Sequence, residues 1–158
     1  VTHGAVRIAG QDKEDFLRTS VEPKANDTAL IFEDFPAGWE VGDKLVVAGT
    51  TLVAKNEFED EIVTIESISK LSNGNYSVTI DQSLKYDHIP PENSAGVDFS
   101  VPVANYTRNV FIGTETDGDQ YLSDGKTVPL GERGHVMFML YDDVIVESAE
   151  CFELGRTA

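Results

Sequence analysis

The sequence predicts an all-β fold in which a small β-barrel or sandwich leads into the start of a parallel β-helix. No window of the chain shows a convincing helical period, whereas short apolar runs bounded by turn residues recur along its length. Every residue from Val136 to Leu140 is apolar, which is typical of a strand covered on both faces. Short strands predicted at 144–146 and 151–154 follow after brief polar bends, and this spacing indicates one coil of a β-helix.

A β-sandwich explains the same stretch, with a hairpin that turns at Asp142 and Asp143, and the pattern does not separate the two folds. At 158 residues the chain is long enough to bury a core without disulfides. We assign residues 1–105 to the barrel-like part and 106–158 to the first coil or coils of the β-helix. The single cysteine, Cys151, falls in an apolar strand and is predicted to be a buried thiol.

The remaining strands are predicted from apolar runs between turns. A polar cluster at 11–15 is predicted to be a solvated turn, and Pro102 places its strand at an edge or a bulge. The alternation before and after 71–75 predicts a hairpin. The glycine- and aspartate-rich stretch 113–132 is long enough to be a functional loop or a mobile one. The predicted extended segments are 1–10, 16–22, 29–32, 44–48, 62–68, 76–80, 97–103 and 109–112.

The charge of the chain excludes some partners. With 12 basic and 28 acidic residues the formal net charge is −16, whereas nucleic acids and anionic membranes are bound by basic surfaces. No apolar run approaches the ~20 residues of a membrane span. We therefore expect no nucleic-acid partner and no membrane insertion.

Several short motifs in a fixed order carry a resemblance to a known family. They are Gly38-Trp-Glu-Val-Gly-Asp43, Leu45-Val-Val-Ala48, Ile62-Val-Thr-Ile65, Leu84-Lys-Tyr-Asp-His88 and Arg108-Asn-Val110. In order and spacing they resemble the eight-glycine extracellular domain at the head of hyaluronidases and fibrocystin-type proteins. Arg133-Gly-His135 and Glu153-Leu-Gly155 resemble the first β-helix coil that follows this domain. The resemblance covers nearly the whole chain.

The resemblance implies a right-handed parallel β-helix with an appended barrel, in a protein that acts on extracellular polysaccharide as a hyaluronidase-like glycoside hydrolase or lyase. Histidine-rich coils are then expected beyond Ala158. The chain is therefore expected to be a non-catalytic or partly catalytic N-terminal piece that positions glycan and is inactive alone. The lack of paired cysteines favours a bacterial relative. The location implied is extracellular, secreted or at the cell surface. A structural or adhesion module of a bacterial surface protein, without catalysis, is the alternative.

The catalytic candidates are His135 and Arg133, which a β-helix face would present to a sugar. A general acid or base needs a partner, and Asp142, Asp143 and Glu147 are the nearby carboxylates. The alternative interpretation of His135 is a buried, hydrogen-bonded residue that caps the coil.

Four residues are carbohydrate-binding candidates: Trp39, Tyr86, His88 and Tyr106. Aromatic rings stack on sugars, but rings beside turns are at least as often core residues, and we favour the core for Trp39. The net charge fits a neutral glycan better than a uronic-acid chain.

Asp117, Asp119 and Asp124 are candidate oxygen ligands for calcium, although their spacing misses the EF-hand order and a solvated acidic loop is favoured. An exposed last coil also predicts a homodimer through residues 135–154, because an uncovered strand edge recruits other strands.

Overall fold

The computed structural model describes residues 5–51, 58–90, 100–114, 132–138 and 143–155. Every regular element in these ranges is a β-strand, which confirms the all-β prediction. Since the described ranges hold no helix, they hold none that is long and apolar enough to cross a membrane. The strands are β1 (Val6–Ala9), β2 (Phe16–Arg18), β3 (Ala29–Phe32), β4 (Lys44–Val47), β5 (Glu61–Lys70), β6 (Tyr76–Ile80), β7 (Pro102–Asn105), β8 (Val110–Gly113), β9 (Val144–Glu147) and β10 (Ala149–Phe152).

The chain divides into two compact units. The first, here called the antiparallel unit, is Lys13–Thr107, and the second, the parallel unit, combines Val1–Asp12 with Arg108–Ala158. In sequence, the antiparallel unit therefore interrupts the parallel unit.

The antiparallel unit is one curled sheet of six strands in the order β2-β7-β4-β5-β6-β3. The predicted hairpin is confirmed as β5 and β6, which pair antiparallel with a register shift between Ile65 and Ser67. The two edge strands approach each other, since Thr19 forms an isolated bridge with Phe32 and the N–H of Ser20 donates to the carbonyl of Ile31. The sheet is thus a half-barrel, and its two edge strands, β2 and β3, come together only near these residues.

The core lies on the concave face of this sheet. Alternate residues of each strand point inward, as a period of two requires. Burying an aliphatic side chain of this size contributes about 1.5–3 kcal/mol, so the summed burial dominates the stability of the unit. The buried apolar residues are Leu17, Leu30, Phe32, Trp39, Leu45, Val47, Val63, Ile65, Val78, Ile80, Leu84, Val101 and Val103.

The parallel unit contains two parallel strand pairs. β1 pairs with β9 from Val6 opposite Val144 onward, and β8 pairs with β10 from Val110 opposite Ala149 onward. A single residue, Ser148, separates β9 from β10 and has a positive φ of 51°. The continuous run from β9 to β10 therefore lies beside two segments that are far apart in sequence.

Several predictions are wrong in detail. The predicted strand with both faces buried is wrong over residues 136–138, which form no strand. Val136, Met137 and Phe138 are 48%, 65% and 37% exposed. Cys151 is exposed rather than buried, because none of the described residues covers its side chain in β10. Pro102 lies in a strand flanked on both sides, where it is tolerated because it is the first residue of β7.

Candidate functional site

The segment of the antiparallel unit between β2 and β3 contributes to the lining of two cavities. The larger has a volume of about 310 Å³ and the smaller about 220 Å³, and both are lined by Glu22. The larger lies along β3 and is lined by Val21, Glu22, Pro23, Asp27, Thr28, Ala29, Leu30 and Ile31. The smaller is lined by Thr19, Ser20, Glu22, Pro90, Ser100 and Val101.

The lining of these cavities combines polar and apolar groups. The hydroxyl of Thr28 can both donate and accept hydrogen bonds, whereas the carboxylate of Glu22 accepts only. The hydroxyl of Ser20 already donates to the carbonyl of Ile31 and accepts from Nδ2 of Asn75, both at 3.3 Å. The side chains of Val21 and Pro23 add apolar surface beside them. The larger cavity is at the lower end of the range for ligand pockets, about 300–1,000 Å³. This arrangement suits a small ligand with several hydroxyl groups and an apolar face.

Trp39 is a core residue, as favoured from the sequence. It is 5% exposed and its ring packs edge-to-face against Phe32 with centroids 5.5 Å apart. The indole Nε1 donates to the carbonyl of Glu14 at 2.7 Å, which satisfies its only polar group. Its ring is therefore not available for stacking on a ligand.

His88 is also buried, at 0% exposure, and lies between two acceptors. Its Nδ1 is 2.8 Å from the carbonyl oxygen of Ala48 and its Nε2 is 3.1 Å from Oε1 of Glu61. The same Glu61 carboxylate accepts the backbone N–H groups of Lys85 and Tyr86 at 2.9 and 3.0 Å. His88 and Glu61 together anchor the segment that follows β6.

Tyr86 and Tyr106 are 41% and 39% exposed, but they lie at opposite ends of β4. The N–H of Tyr106 donates to Lys44, the first residue of β4. The N–H of Tyr86 binds Glu61, which is the cross-strand partner of Val47, the last residue of β4. A strand of four residues extends for roughly 10 Å, so the backbones that carry these two rings are separated by about the length of β4.

Arg133 and His135 belong to the parallel unit and have different surroundings. The guanidinium of Arg133 forms an ion pair with Glu153 at 2.7 Å, and the Glu153 side chain is 6% exposed. His135 is exposed rather than buried, and within the described ranges its ring contacts no carboxylate. Of its predicted partners, Asp143 is paired with Arg7 at 2.8 Å, Glu147 is exposed, and Asp142 lies outside the described residues.

The calcium candidates Asp117, Asp119 and Asp124 lie outside the described residues, so that site stays a prediction. Across the part of the chain that the structure describes, no three histidine, cysteine or carboxylate side chains gather as metal ligands would.

Besides His88 and Glu61, another buried polar cluster lies at one end of the antiparallel unit. Nζ of Lys13 is 2.7 and 2.8 Å from the two carboxylate oxygens of Asp43, and Nδ2 of Asn105 donates to Oδ2 of Asp43 at 2.8 Å. Burial of Asp43 favours its neutral form, but the hydrogen bonds from Lys13, Asn105 and the backbone of Glu40 outweigh this and lower the pKa of the carboxyl. Asp43 is therefore an anionic centre inside the sheet.

The positions of Glu22, Glu61 and Lys13 were not predicted from the sequence. Lys13 falls in the cluster that we predicted to be a solvated turn, yet its side chain is only 4% exposed because Asp43 neutralises its charge. The position of Asp43 had a sequence signal, because this residue ends the Gly42-Asp43 turn motif. The structure agrees with a turn there, since Gly42 has a φ of 94° that favours glycine. No sequence signal distinguished Glu22 or Glu61 from the other acidic residues, because such residues are frequent throughout the chain.

The fold and the cavities define an all-β protein in which a half-barrel with two cavities of mixed polar and apolar lining is joined in sequence to a unit of parallel strand pairs. No family model matches this chain, and no curated protein matches it.

Proposed function

We propose that this chain positions a neutral glycan for an extracellular polysaccharide-active β-helix protein, and that it does so by binding rather than by catalysis. The observation that carries the proposal is the pair of cavities lined by Glu22. A carboxylate that lines both cavities would accept hydrogen bonds from two adjacent sugar units.

The charge of the chain supports a neutral ligand. At a net charge of −16 the surface repels polyanions, and Glu22 and Asp27 would oppose a uronic acid at the cavities themselves. Sugar hydroxyls carry no charge and donate to carboxylates, so neutral polysaccharides avoid this repulsion.

The arrangement of the parallel unit supports a β-helix in the whole protein. β9 and β10 follow each other across one residue and run parallel to β1 and β8, as two stacked rows of a coil would. The proposal is that these pairs begin a right-handed parallel β-helix like that of hyaluronidase-like and fibrocystin-like proteins, in a secreted or surface protein of bacterial type.

The surroundings of Arg133 and His135 support a role in binding alone. Arg133 is engaged by a nearly buried Glu153, and the ring of His135 contacts none of the described carboxylates, whereas a general acid or base needs an orienting partner.

The test is a binding assay of this chain against neutral and uronic-acid polysaccharides, with new reducing ends followed in parallel. We expect binding to a neutral polysaccharide and no cleavage. Glu22→Gln should weaken binding about tenfold, the equivalent of one charge-assisted hydrogen bond. Glu33→Gln is the matched control, since Glu33 is exposed and lines neither cavity.

Each other outcome has a defined meaning. Absence of binding to every neutral polysaccharide would contradict the proposal and favour the structural or adhesion module. Equal loss in both glutamate variants would place the ligand away from the cavities. Reducing ends released by this chain alone would contradict the non-catalytic role.

A further inference from the structure

The Lys13, Asp43 and Asn105 cluster brings together three groups that can react with one another. Lys13 is the first residue of the antiparallel unit, and Asn105 is the last residue of its strand β7. Asp43 directly precedes β4, which pairs with β7. The N–H of Asn105 also donates to the carbonyl of Asp15 at 2.9 Å, so the two ends of the unit are held side by side.

The cluster is dry. The side chains of Lys13 and Asp43 are 4% and 6% exposed, and Asn105 is 1% exposed. A desolvated lysine amine is a stronger nucleophile than a hydrated ammonium once it has lost its proton, and exclusion of water also prevents hydrolysis of a neighbouring amide.

One oxygen atom holds the amine and the carboxamide together. Oδ2 of Asp43 lies 2.8 Å from Nζ of Lys13 and accepts a hydrogen bond of 2.8 Å from Nδ2 of Asn105. Nζ and Nδ2 therefore cannot be further apart than these two distances together. The other end of the carboxamide is polarised, because Oδ1 of Asn105 accepts the backbone N–H of Thr107 at 3.0 Å.

We propose that Lys13 and Asn105 form an intramolecular isopeptide bond, with Asp43 as the group that transfers protons. This inference is independent of the proposed glycan binding, since it depends only on the buried cluster.

The reaction needs no further reagent. Hydrogen bonds keep Asp43 ionised at rest, so the reaction begins with a transient transfer of a proton from the Lys13 ammonium to its carboxylate. The freed Nζ lone pair then forms a bond to Cγ of Asn105 while negative charge moves to Oδ1 beside the Thr107 N–H. Asp43 passes its proton to Nδ2 and accepts the second proton of the attacking nitrogen. The C–Nδ2 bond breaks as the carbonyl re-forms, ammonia leaves, and the last proton follows it as ammonium.

The predicted product is lighter than the sequence by the mass of ammonia, about 17 Da. Intact-mass spectrometry of the purified folded protein measures this directly. Digestion should then yield a branched peptide that joins the segments containing Lys13 and Asn105. A folded protein with the full sequence mass would overturn the proposal without any variant being made.

Three variants assign the bond. Lys13→Arg keeps a positive charge beside Asp43 and should restore the full mass, whereas Lys44→Arg, at an exposed lysine of the same unit, should retain the loss. Asn105→Asp should lose about 18 Da, the mass of water, because a carboxyl replaces the carboxamide.

A loss of water in the unaltered protein, with a branched peptide that joins Lys13 to Asp43, would contradict the assignment to Asn105. A branched peptide that persists in Lys13→Arg would contradict the assignment to Lys13.

Discussion

The carbonyl oxygen of Ser148 occupies the space that a Cβ atom would need at Gly10. The N–H of Gly10 donates to the carbonyl of Glu147 at 3.0 Å, and the next N–H, that of Gln11, donates to Oδ1 of Asn109 at 2.8 Å. Gly10 and Gln11 directly follow β1, and Asn109 directly precedes β8. These contacts therefore hold the bend between β9 and β10 against Gly10, and they hold Gln11 against Asn109. A glycine at this position is therefore required by close approach of two backbones.

Gly10→Ala should destabilise the parallel unit by about 1–3 kcal/mol, because the added methyl group must displace backbone atoms. Urea unfolding and hydrogen exchange of residues 144–152 would measure the effect. Gly134→Ala is the matched control in the same unit, since its Cβ would meet its nearest atom, Oγ1 of Thr114, at an ordinary 3.4 Å. Equal stability of the two variants would show that the bend does not depend on this contact.

Stability should fall in acid partly through Asp81. The backbone N–H of Thr64 donates to its carboxylate at 2.8 Å and is the main reason that the pKa of Asp81 lies below 3.8. A carboxyl whose pKa is lower in the folded state stabilises fully above its unfolded pKa, and this contribution is lost as the pH falls through the folded pKa. The difference in unfolding free energy between the unaltered protein and Asp81→Asn should therefore be largest near neutral pH and shrink below about pH 4. A difference that grows in acid would have the wrong sign.

Glu61→Gln should lower the unfolding free energy by about 1–3 kcal/mol, because an amide cannot accept hydrogen bonds with both of its terminal atoms. Both carboxylate oxygens of Glu61 accept the N–H of Lys85 at 2.9 Å, and one of them faces His88. Glu66→Gln, at an exposed position of the same strand, should change stability by less than about 0.5 kcal/mol. Chemical denaturation of both variants compares their unfolding free energies directly. An equal loss in the two variants would show that Glu61 does not anchor the segment after β6.

Trp39→Phe should lower stability by about 1 kcal/mol while leaving glycan binding unchanged. The variant keeps a ring against Phe32 but loses the hydrogen bond from Nε1 to Glu14. Thermal unfolding and the polysaccharide assay would report the two effects separately. Weaker glycan binding by a variant that remains fully folded would restore Trp39 as a ligand-contacting residue.

Self-association is expected through the segment 135–154, as predicted from the sequence. Val136, Met137 and Val146 are 48%, 65% and 40% exposed there, and a second copy would cover them. Light scattering at increasing concentration should show a dimer, and Met137→Asp should shift it towards the monomer by placing a charge in the contact. A monomer at all concentrations would contradict this expectation.

The sequence by itself predicted the strands that local patterns define. β3 coincides with the predicted segment 29–32, and the hairpin of β5 and β6 was visible in alternating residues on either side of the turn at 71–75. These predictions succeeded because alternation and turn chemistry are properties of neighbouring residues. The core role of Trp39 was also favoured from its position beside a turn.

The tertiary structure decided which strands pair and which polar groups are buried. The pairing of β1 with β9 joins residues from the two ends of the chain, and no local pattern specifies such a partner. Lys13 appeared to belong to a solvated turn, and only the approach of Asp43 and Asn105 makes its burial favourable. Val136 and Cys151 are apolar in pattern but exposed, because hydrophobicity indicates what a residue favours and not whether a neighbour is present to cover it.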